Sequence, residues 1–362
     1  MNSTRSKGLI CFLKPATSSH SASLKLGHKK VFFKTTTPKT RLPPAATLAL
    51  SPPLSFDSHL FLWSPGHMKK VRKAVIPVAG LGTRFLPITK TIPKEMLPIV
   101  DKPNLLYNIE EIVKAGIEDI ILVQGRGKYS IEDFFDVSYE LEDQLLQKNK
   151  TELLERVSYL KDMCNIISIR QKKPLGLGHA VYCAEPAIGD QPFALLLGDE
   201  LVYNSPDQPT ATQSLIKHYE ESSVSTVAIM KVDEKDVSKY GIIDGSPLPN
   251  GNYQIKNVIE KPSLQEAPTH LALPGRYVFS GKIFDYLKNT KPGKNGEIQL
   301  TDGMVELAQK EGLHGAFLNG QRYDTGNKLG FLIANIEYAL RHPELKTELR
   351  QYLSSKDWNH HE

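Results

Sequence analysis

Residues 74–84 have the sequence AVIPVAGLGTR, a short apolar run that leads directly into a glycine-rich loop. Val75 and Ile76 favour a buried strand. Gly80 and Gly82 let backbone amides approach a phosphate or a base without a Cβ in the way. Two such glycines also occur in ordinary tight turns after a strand. The pattern therefore predicts a strand and a loop, and it leaves the ligand open.

Two familiar phosphate-binding motifs do not fit this loop. The dinucleotide-binding fingerprint needs a third glycine where Phe85 stands, and a Walker A loop needs Gly-Lys before Ser or Thr, where the chain has Gly-Thr-Arg. Arg84 and Lys94 bracket a segment with two prolines, Pro87 and Pro93, which excludes a regular helix. Two cations on a rigid loop beside closely spaced amides favour a polyphosphate site, although a single lysine is typical of a solvated surface.

Strands and helices alternate after this loop. Apolar runs and helical spacing predict strands at 119–123, 166–170 and 193–197 and helices at 104–115 and 178–185. The alternation predicts an α/β fold, with a mostly parallel central sheet covered by helices on both faces. Beyond residue 226 the strands are shorter, so we expect this half to be mixed. The polar end of the chain is expected to pack loosely.

Two later loops carry polar groups at the ends of predicted strands. Gln171 precedes a second glycine turn at Gly176, which leads into a helix. Asp199 follows the apolar run FALLL, and an acid at that place can hold Mg²⁺ against phosphate oxygens. A turn or a helix cap is the simpler explanation of a Gly-Asp pair. We interpret His179 as structural, because a single histidine at a helix start is usually packed or capping.

Residues 1–67 differ in composition from the rest of the chain. They contain nine Lys or Arg residues and one acid, Asp57, whereas the remainder has 36 basic and 39 acidic residues. An acid-poor, basic segment is typical of an organellar transit peptide, and it is equally compatible with translated sequence upstream of Met68. We divide the remainder into a main α/β domain, 68–344, and a polar tail, 345–362.

Composition excludes several classes of partner. The remainder carries no excess of positive charge that would recruit nucleic acid, and no apolar run has the length that spans a bilayer. The three cysteines are far apart, which argues against a zinc site or a disulfide framework. We therefore expect a protein without nucleic-acid or membrane partners, located in the cytoplasm, or in an organelle if residues 1–67 are a transit peptide.

Longer motifs resemble those of one known family. AGLGTRFLPITK (79–90) and IPKEMLPIVDKP (92–103) are similar to the signature of the bacterial-type UTP–glucose-1-phosphate uridylyltransferases. The resemblance spans residues 69–341 in order, and its other motifs include RQKKPLGLGHAV (170–181), LLGDE (196–200), VIEKP (258–262), GEIQLTD (296–302) and RYDTGNKLG (322–330). AGxGTR alone is shared across the wider sugar-nucleotidyltransferase superfamily, whereas the whole set is specific.

The resemblance implies a Rossmann-like nucleotide-diphospho-sugar transferase fold, and it implies the formation of UDP-glucose and diphosphate from UTP and glucose 1-phosphate with Mg²⁺. It also implies roles for matching residues. Arg84 and Lys94 would grip the triphosphate as catalytic residues, and Asp199 and Asp324 would hold the metal. The remaining positions would bind the nucleotide (Ala79, Gly80, Gly82, Glu95, Gln171, Gly176) or the glucose and its phosphate (Gly241, Glu260, Lys261).

Some alternatives stay open. The chain could be a sugar-1-phosphate thymidylyltransferase of the same superfamily, or a non-catalytic homologue that binds nucleotide sugars; the presence of both cations and both acids speaks against the latter. Asp199 and Asp324 each follow a strand-like run, and we expect these strands to end at one crevice of a parallel sheet. The resemblance also implies a homo-oligomer, a dimer or a tetramer, that associates through the end helices.

Overall fold

The structure is a computed structural model that describes residues 70–293 and 296–357. The predicted leader, 1–67, lies outside the described residues. The strands are β1 (Lys73–Val78), β2 (Pro98–Ile99), β3 (Lys102–Pro103), β4 (Asp119–Gln124), β5 (Asn165–Arg170), β6 (Phe193–Leu196), β7 (Glu200–Tyr203), β8 (Thr226–Lys231), β9 (Gly241–Pro247), β10 (Tyr253–Glu260), β11 (Leu271–Ala272), β12 (Arg276–Phe279), β13 (His314–Phe317) and β14 (Gln321–Asp324). The helices are α1 (Asn104–Lys114), α2 (Tyr129–Phe135), α3 (Tyr139–Gln147), α4 (Thr151–Ser158), α5 (Leu177–Tyr182), α6 (Glu185–Ile188), α7 (Ala211–Ser222), α8 (Ile283–Asn289), α9 (Leu300–Lys310), α10 (Lys328–Ala339) and α11 (Lys346–Ser354).

Most predicted elements are present, and one differs. The helix predicted at 178–185 ends at Tyr182, and α6 then starts with Pro186 in its first turn, where a missing N–H costs nothing. The end of the chain was expected to pack loosely, and α11 forms there with no buried residue. Good helix formers such as Leu349 and Arg350 favour this helix without packing.

A ten-stranded mixed sheet forms the centre, in the order β11-β9-β10-β13-β8-β12-β6-β1-β4-β5. Strands β6, β1, β4 and β5 run parallel to one another, and β13 runs parallel to β8. The other pairings of this sheet within the described residues are antiparallel. The prediction of a mostly parallel sheet is therefore wrong for the sheet as a whole. Its second half uses short connections, such as the one from β9 to β10, and these can join only antiparallel neighbours.

Helices cover both faces of the sheet, as predicted. Successive side chains of a strand point to opposite faces. Val75 belongs to the apolar core that includes α5, α8 and α9, whereas Ala74 and Ile76 belong to the core that includes α1, α2 and α7. All three side chains are completely buried. No helix among the described residues is long and apolar enough to cross a membrane.

The parallel half of the sheet brings several loops to one edge. The glycine loop follows β1, Gln171 follows β5, and Gly198 and Asp199 follow β6. β1 lies between β6 and β4, so the loops that follow these strands diverge to either side of it. In open α/β sheets, a crevice for ligands forms at this kind of switch point, beside the carboxyl ends of the strands.

A buried polar network holds helix α1 beneath this edge. Arg276, which is 1% exposed, donates to Glu111 Oε2 at 2.9 Å and to Asn108 Oδ1 at 2.6 Å. It also donates to the backbone oxygen of Glu200 at 2.8 Å. A charge buried this deeply needs a counter-charge, which Glu111 supplies, although Nη1 of Arg276 has no hydrogen-bond partner among the described residues. The network therefore fixes α1 relative to β12 and the start of β7.

Candidate active site

Two cavities open beside the crevice and share a wall. The loop cavity, about 330 Å³, lies against the glycine loop and is lined by Gly80, Lys94 and Gln171 among others. The acidic cavity, about 700 Å³, is lined by Glu260 and Asp324 among others. Asp199 lines both cavities. Two ligands, one in each cavity, would therefore meet at this carboxylate.

The structure brings eleven of the predicted site residues to these two walls. Those in the loop cavity are Ala79, Gly80, Lys94, Gln171 and Gly176. Those in the acidic cavity are Arg84, Gly241, Glu260, Lys261 and Asp324, and Asp199 belongs to both sets. The loop cavity thus holds four of the six residues predicted to bind the nucleotide, and the acidic cavity holds the three predicted to bind the sugar and its phosphate. Arg84, predicted to grip the triphosphate, lines the acidic cavity.

Gly82 and Glu95 line neither cavity. Gly82 has a φ of 66°, and a Cβ there would lie 3.2 Å from Lys94 Cβ, so its glycine allows the loop to fold closely against Lys94. Glu95 is 1% exposed and pairs with Lys128, with 2.6 Å between Oε2 and Nζ. Burial raises the pKa of Glu95 against the attraction of Lys128.

Lys94 and Asp199 form an ion pair on the wall of the loop cavity. Nζ lies 2.6 Å from Oδ2. Burial works against the charged ammonium, but the negative charges of Asp199 and Glu95 outweigh it, so the pKa of Lys94 is raised. Burial also opposes the charge of Asp199, and Lys94 nevertheless lowers its pKa. Both groups are therefore charged at neutral pH.

The carboxylates of Asp199 and Asp324 face the same point. A Cβ on Gly326 would lie 2.9 Å from Asp199 Oδ2 and 3.1 Å from Asp324 Oδ1, so the missing side chain leaves room between them. β14 pairs with β7 in antiparallel register, and this pairing sets Asp324 opposite Glu200. The two acids are thus brought together by the pairing of β7 with β14, which lies outside the large sheet. We expected them to meet at a crevice of the parallel sheet, and this expectation is wrong.

Hydrogen bonds fix the backbone around both acids. The N–H and the hydroxyl of Thr325 both donate to the Asp199 backbone oxygen at 2.8 Å. Asn104 and Asn108 donate to the oxygen of Gly198 at 3.0 and 3.2 Å. The geometry is therefore built before any ligand binds.

This pair of carboxylates is suited to a divalent cation. Mg²⁺ is commonly held by one or two carboxylates together with substrate phosphates and water. Within residues 70–293 and 296–357, no group of three or more His, Cys, Asp or Glu side chains converges as a metal cage would. The residues present fit Mg²⁺ that is completed by phosphate oxygens.

Sequence reasoning missed the contacts of Glu200 with Arg322. The guanidinium donates to both carboxylate oxygens at 2.6 Å and to the Tyr240 hydroxyl at 3.1 Å. Burial raises the pKa of Glu200 to about 7 despite this partner. Arg322 stands within the motif RYDTG, but nothing in the sequence indicates that its partner lies 122 positions away. The pair supports one wall of the acidic cavity.

The family described as nucleotidyl transferase matches residues 73–340 of the chain. A UTP–glucose-1-phosphate uridylyltransferase of Bacillus subtilis is 51% identical to it, over 79% of this chain and 95% of the relative. The chain belongs to the nucleotidyl transferase family. The resemblance predicted from the motifs is thereby confirmed.

Solved members of the family have the same fold. A UTP-bound UDP-glucose pyrophosphorylase from Acinetobacter baumannii is 41% identical with a TM-score of 0.74, and the match covers 79% of this chain and all of that one. A UDP-glucose pyrophosphorylase solved with UDP-glucose is 43% identical with a TM-score of 0.69, and the match covers 75% of this chain and all of that one.

The glycine turn at Gly176 generates a prediction about stability. Gly176 has a φ of 101°, and a Cβ there would lie 2.7 Å from the Ile298 oxygen. We expect Gly176→Ala to lower the free energy of unfolding by about 2–4 kcal/mol, since backbone strain adds to a clash. Gly251→Ala is the matched control, because Gly251 has a φ of 83° but nothing within 4 Å. Its expected cost is about 1 kcal/mol. Urea denaturation measures both, and equal losses would show that the close approach at Gly176 has no effect.

Proposed function

We propose that the chain catalyses the reaction UTP + α-D-glucose 1-phosphate ⇌ UDP-glucose + diphosphate. The observation that carries the proposal is the position of Asp199, which lies on the walls of both cavities and is paired with Lys94. A nucleotide in the loop cavity and a sugar phosphate in the acidic cavity would meet at this point. The names and bound ligands of the relatives support the same pair of substrates.

The loop cavity is the proposed site of UTP. Ala79 and Gly80 would contact the nucleotide through their backbone groups, which glycine-rich loops present without obstruction. Gln171 and Gly176 would read the uracil edge from the opposite wall. Gly82 and Glu95, which the resemblance also assigns to the nucleotide, would support this wall through the packing of Gly82 against Lys94 and the Glu95–Lys128 ion pair.

The acidic cavity is the proposed site of glucose 1-phosphate. Gly241 would let the sugar approach closely, since a Cβ there would lie only 3.4 Å from Glu260 Oε2. Glu260 would accept hydrogen bonds from glucose hydroxyls. Lys261, with Nζ 3.4 Å from Glu260 Oε1, would bind the phosphate. Its φ of 44° is strained for a lysine, and such strain clusters at binding sites.

Mg²⁺ is the proposed cofactor, with Asp199 and Asp324 as its protein ligands. When bound, it neutralises charge on the phosphate oxygens that it contacts. Asp199 would then exchange its ammonium partner for the metal, so that Lys94 could turn its charge towards the triphosphate. The hydrogen bonds from Gly326 N and Asn327 Nδ2 to Asp324, at 2.8 and 3.0 Å, would keep that carboxylate in orientation.

The mechanism follows from charge and geometry. A phosphate oxygen of glucose 1-phosphate attacks the α-phosphorus of UTP in line, and diphosphate leaves. The nucleophile is already ionised at neutral pH, so no protein base is needed. The main task of the protein is to hold two anions together. Arg84 offers a planar fork for phosphate oxygens, and Lys94 and Lys261 offer point charges.

The proposal extends to assembly and location. Helix α10 exposes an apolar face, formed by Leu329, Leu332, Ile333 and Ile336. Contiguous exposed apolar residues are typical of interaction surfaces, which supports a homo-oligomer, either a dimer or a tetramer.

Cys164 and Cys183 are free thiols, as is usual in a reducing compartment, and we propose the cytoplasm as the location. We propose neither nucleic-acid nor membrane partners.

Competition among substrates tests the proposed reaction. The full chain is incubated with UTP, dTTP, CTP, ATP and GTP together, glucose 1-phosphate and Mg²⁺, and the nucleotide sugars are measured by mass spectrometry. UDP-glucose should be the main product, because a purine base needs more space than a site that fits uracil provides. Galactose 1-phosphate should react more slowly than glucose 1-phosphate. A main product of dTDP-glucose would favour a thymidylyltransferase. Binding of UDP-glucose without any turnover would favour the non-catalytic homologue.

A lysine substitution tests the electrostatic part of the mechanism. Lys94→Ala should lower kcat by about 10²-fold or more, the usual effect of losing one preorganised donor to transition-state charge. Lys90→Ala is the matched control, because Lys90 is an exposed lysine of the same loop. It should leave kcat unchanged. Steady-state kinetics with UTP and glucose 1-phosphate measures both variants, and an unchanged kcat for Lys94→Ala would show that Lys94 does not act on the reacting phosphates.

A further inference from the structure

The side-chain amide of Gln171 is held in one orientation. Its Nε2 lies 3.1 Å from the backbone oxygen of Gly176 and 3.0 Å from Nδ1 of His179. A carbonyl oxygen can only accept a hydrogen bond, so the atom that faces Gly176 must be the amide nitrogen. With Nε2 committed to this side, the carbonyl Oε1 is the amide atom that remains for a ligand in the loop cavity, which Gln171 lines.

The second contact requires a particular state of His179. Nε2 of Gln171 carries two hydrogens, and it can donate to Nδ1 only if that ring nitrogen is unprotonated. Burial lowers the pKa of His179, which keeps the ring neutral at physiological pH. The hydrogen then resides on the other ring nitrogen, and Nδ1 is an acceptor. His179, interpreted from the sequence as structural, therefore has a definite hydrogen-bonding partner.

Reversing the amide would be unfavourable on both sides. Oε1 would then face the Gly176 oxygen and the lone pair of Nδ1, and two attractive contacts would become repulsive. Each hydrogen bond of this kind contributes about 1 kcal/mol. Each partner alone therefore favours the observed orientation of the amide over the reversed one roughly 5- to 10-fold. Gly176 contributes to this preference through its backbone oxygen, which a substitution does not remove. His179 contributes through its side chain, which a substitution can remove.

The orientation of the amide matters because uracil and cytosine present different hydrogen-bonding groups around N3. Uracil presents an N–H donor at N3, whereas cytosine presents an acceptor at N3 beside an amino group. An amide oxygen pairs with the first and repels the second, and an amide nitrogen does the reverse. Sites that hydrogen-bond a particular group discriminate strongly against an analogue that leaves it unpaired.

We propose that His179 is a positioning residue that holds the Gln171 amide with its oxygen towards the base, and that it thereby sets the preference for uracil over cytosine. The inference rests on the proposed function in one respect, namely that Gln171 contacts the base. It adds to the site a residue that touches no substrate. The preference for one nucleotide then depends on whether Nδ1 of the His179 imidazole accepts a hydrogen bond.

The test compares kcat/KM for UTP with kcat/KM for CTP in a set of variants. His179→Phe keeps the ring volume and His179→Ala removes it; both lack the acceptor, so the UTP/CTP ratio should fall roughly 5- to 10-fold, mainly through KM. His179→Asn should retain the ratio, because Asn offers an acceptor oxygen close to the position of Nδ1. Cys183→Ala is the packing control, since Cys183 Sγ lies 3.9 Å from the same ring nitrogen, and it should leave the ratio unchanged.

The remaining outcomes separate the two proposals. Gln171→Leu should also lower the ratio, because it removes the base contact itself. If Gln171→Leu lowers the ratio while the Phe and Ala variants of His179 do not, the positioning role is wrong and the base contact stands. If His179→Asn loses selectivity as much as His179→Phe, the imidazole acts by packing and the inference is overturned. If Gln171→Leu leaves the ratio unchanged, the proposed contact of Gln171 with uracil fails.

Discussion

The ion pair between Lys94 and Asp199 connects the loop after β1 to the loop after β6, and the rest of the site is arranged around it. Nζ and Oδ2 are 2.6 Å apart, and each group would carry a large desolvation cost if it stood alone. The pairing therefore constrains the proline-containing loop to bring Lys94 to the crevice. It also requires a rigid backbone at Asp199, which Asn104, Asn108 and Thr325 supply.

The two halves of the mixed sheet supply residues to different cavities of the site. The parallel half ends its strands at one edge and delivers the glycine loop, Gln171 and Asp199 to the loop cavity. The other half delivers Gly241 and Glu260 to the acidic cavity. The small sheet of β7 and β14 joins the two, since its register sets Asp324 beside the carboxylate that both cavities share. The position of each substrate thus follows from strand order and register.

Local patterns were sufficient to predict the parallel half of the fold, and several residues that they singled out line the two cavities. Alternating strands and helices, glycines at strand ends and two cations on a rigid loop are visible within short windows, which is why β1, Lys94 and Gln171 were identified. Features that depend on strand pairing were not accessible. The register that unites Asp199 with Asp324, and the antiparallel order of the second half, are set by contacts distant in sequence. The role proposed for His179 was inaccessible for a related reason, because the role of an imidazole depends on which atom faces its ring nitrogen.

The most direct test of the account is a double-substitution cycle on the two acids. Initial rates are titrated with Mg²⁺ for the unmodified chain, Asp199→Asn, Asp324→Asn and the double variant, and Asp285→Asn serves as a control because its exposed carboxylate lies outside both cavities. Each single variant should need more Mg²⁺ and turn over about 10²-fold more slowly. The double variant should be little slower than the slower single variant, since residues that serve one ion act as a unit. Losses that simply multiply, with an unchanged dependence on Mg²⁺, would show that the two carboxylates do not share an ion and would contradict the account.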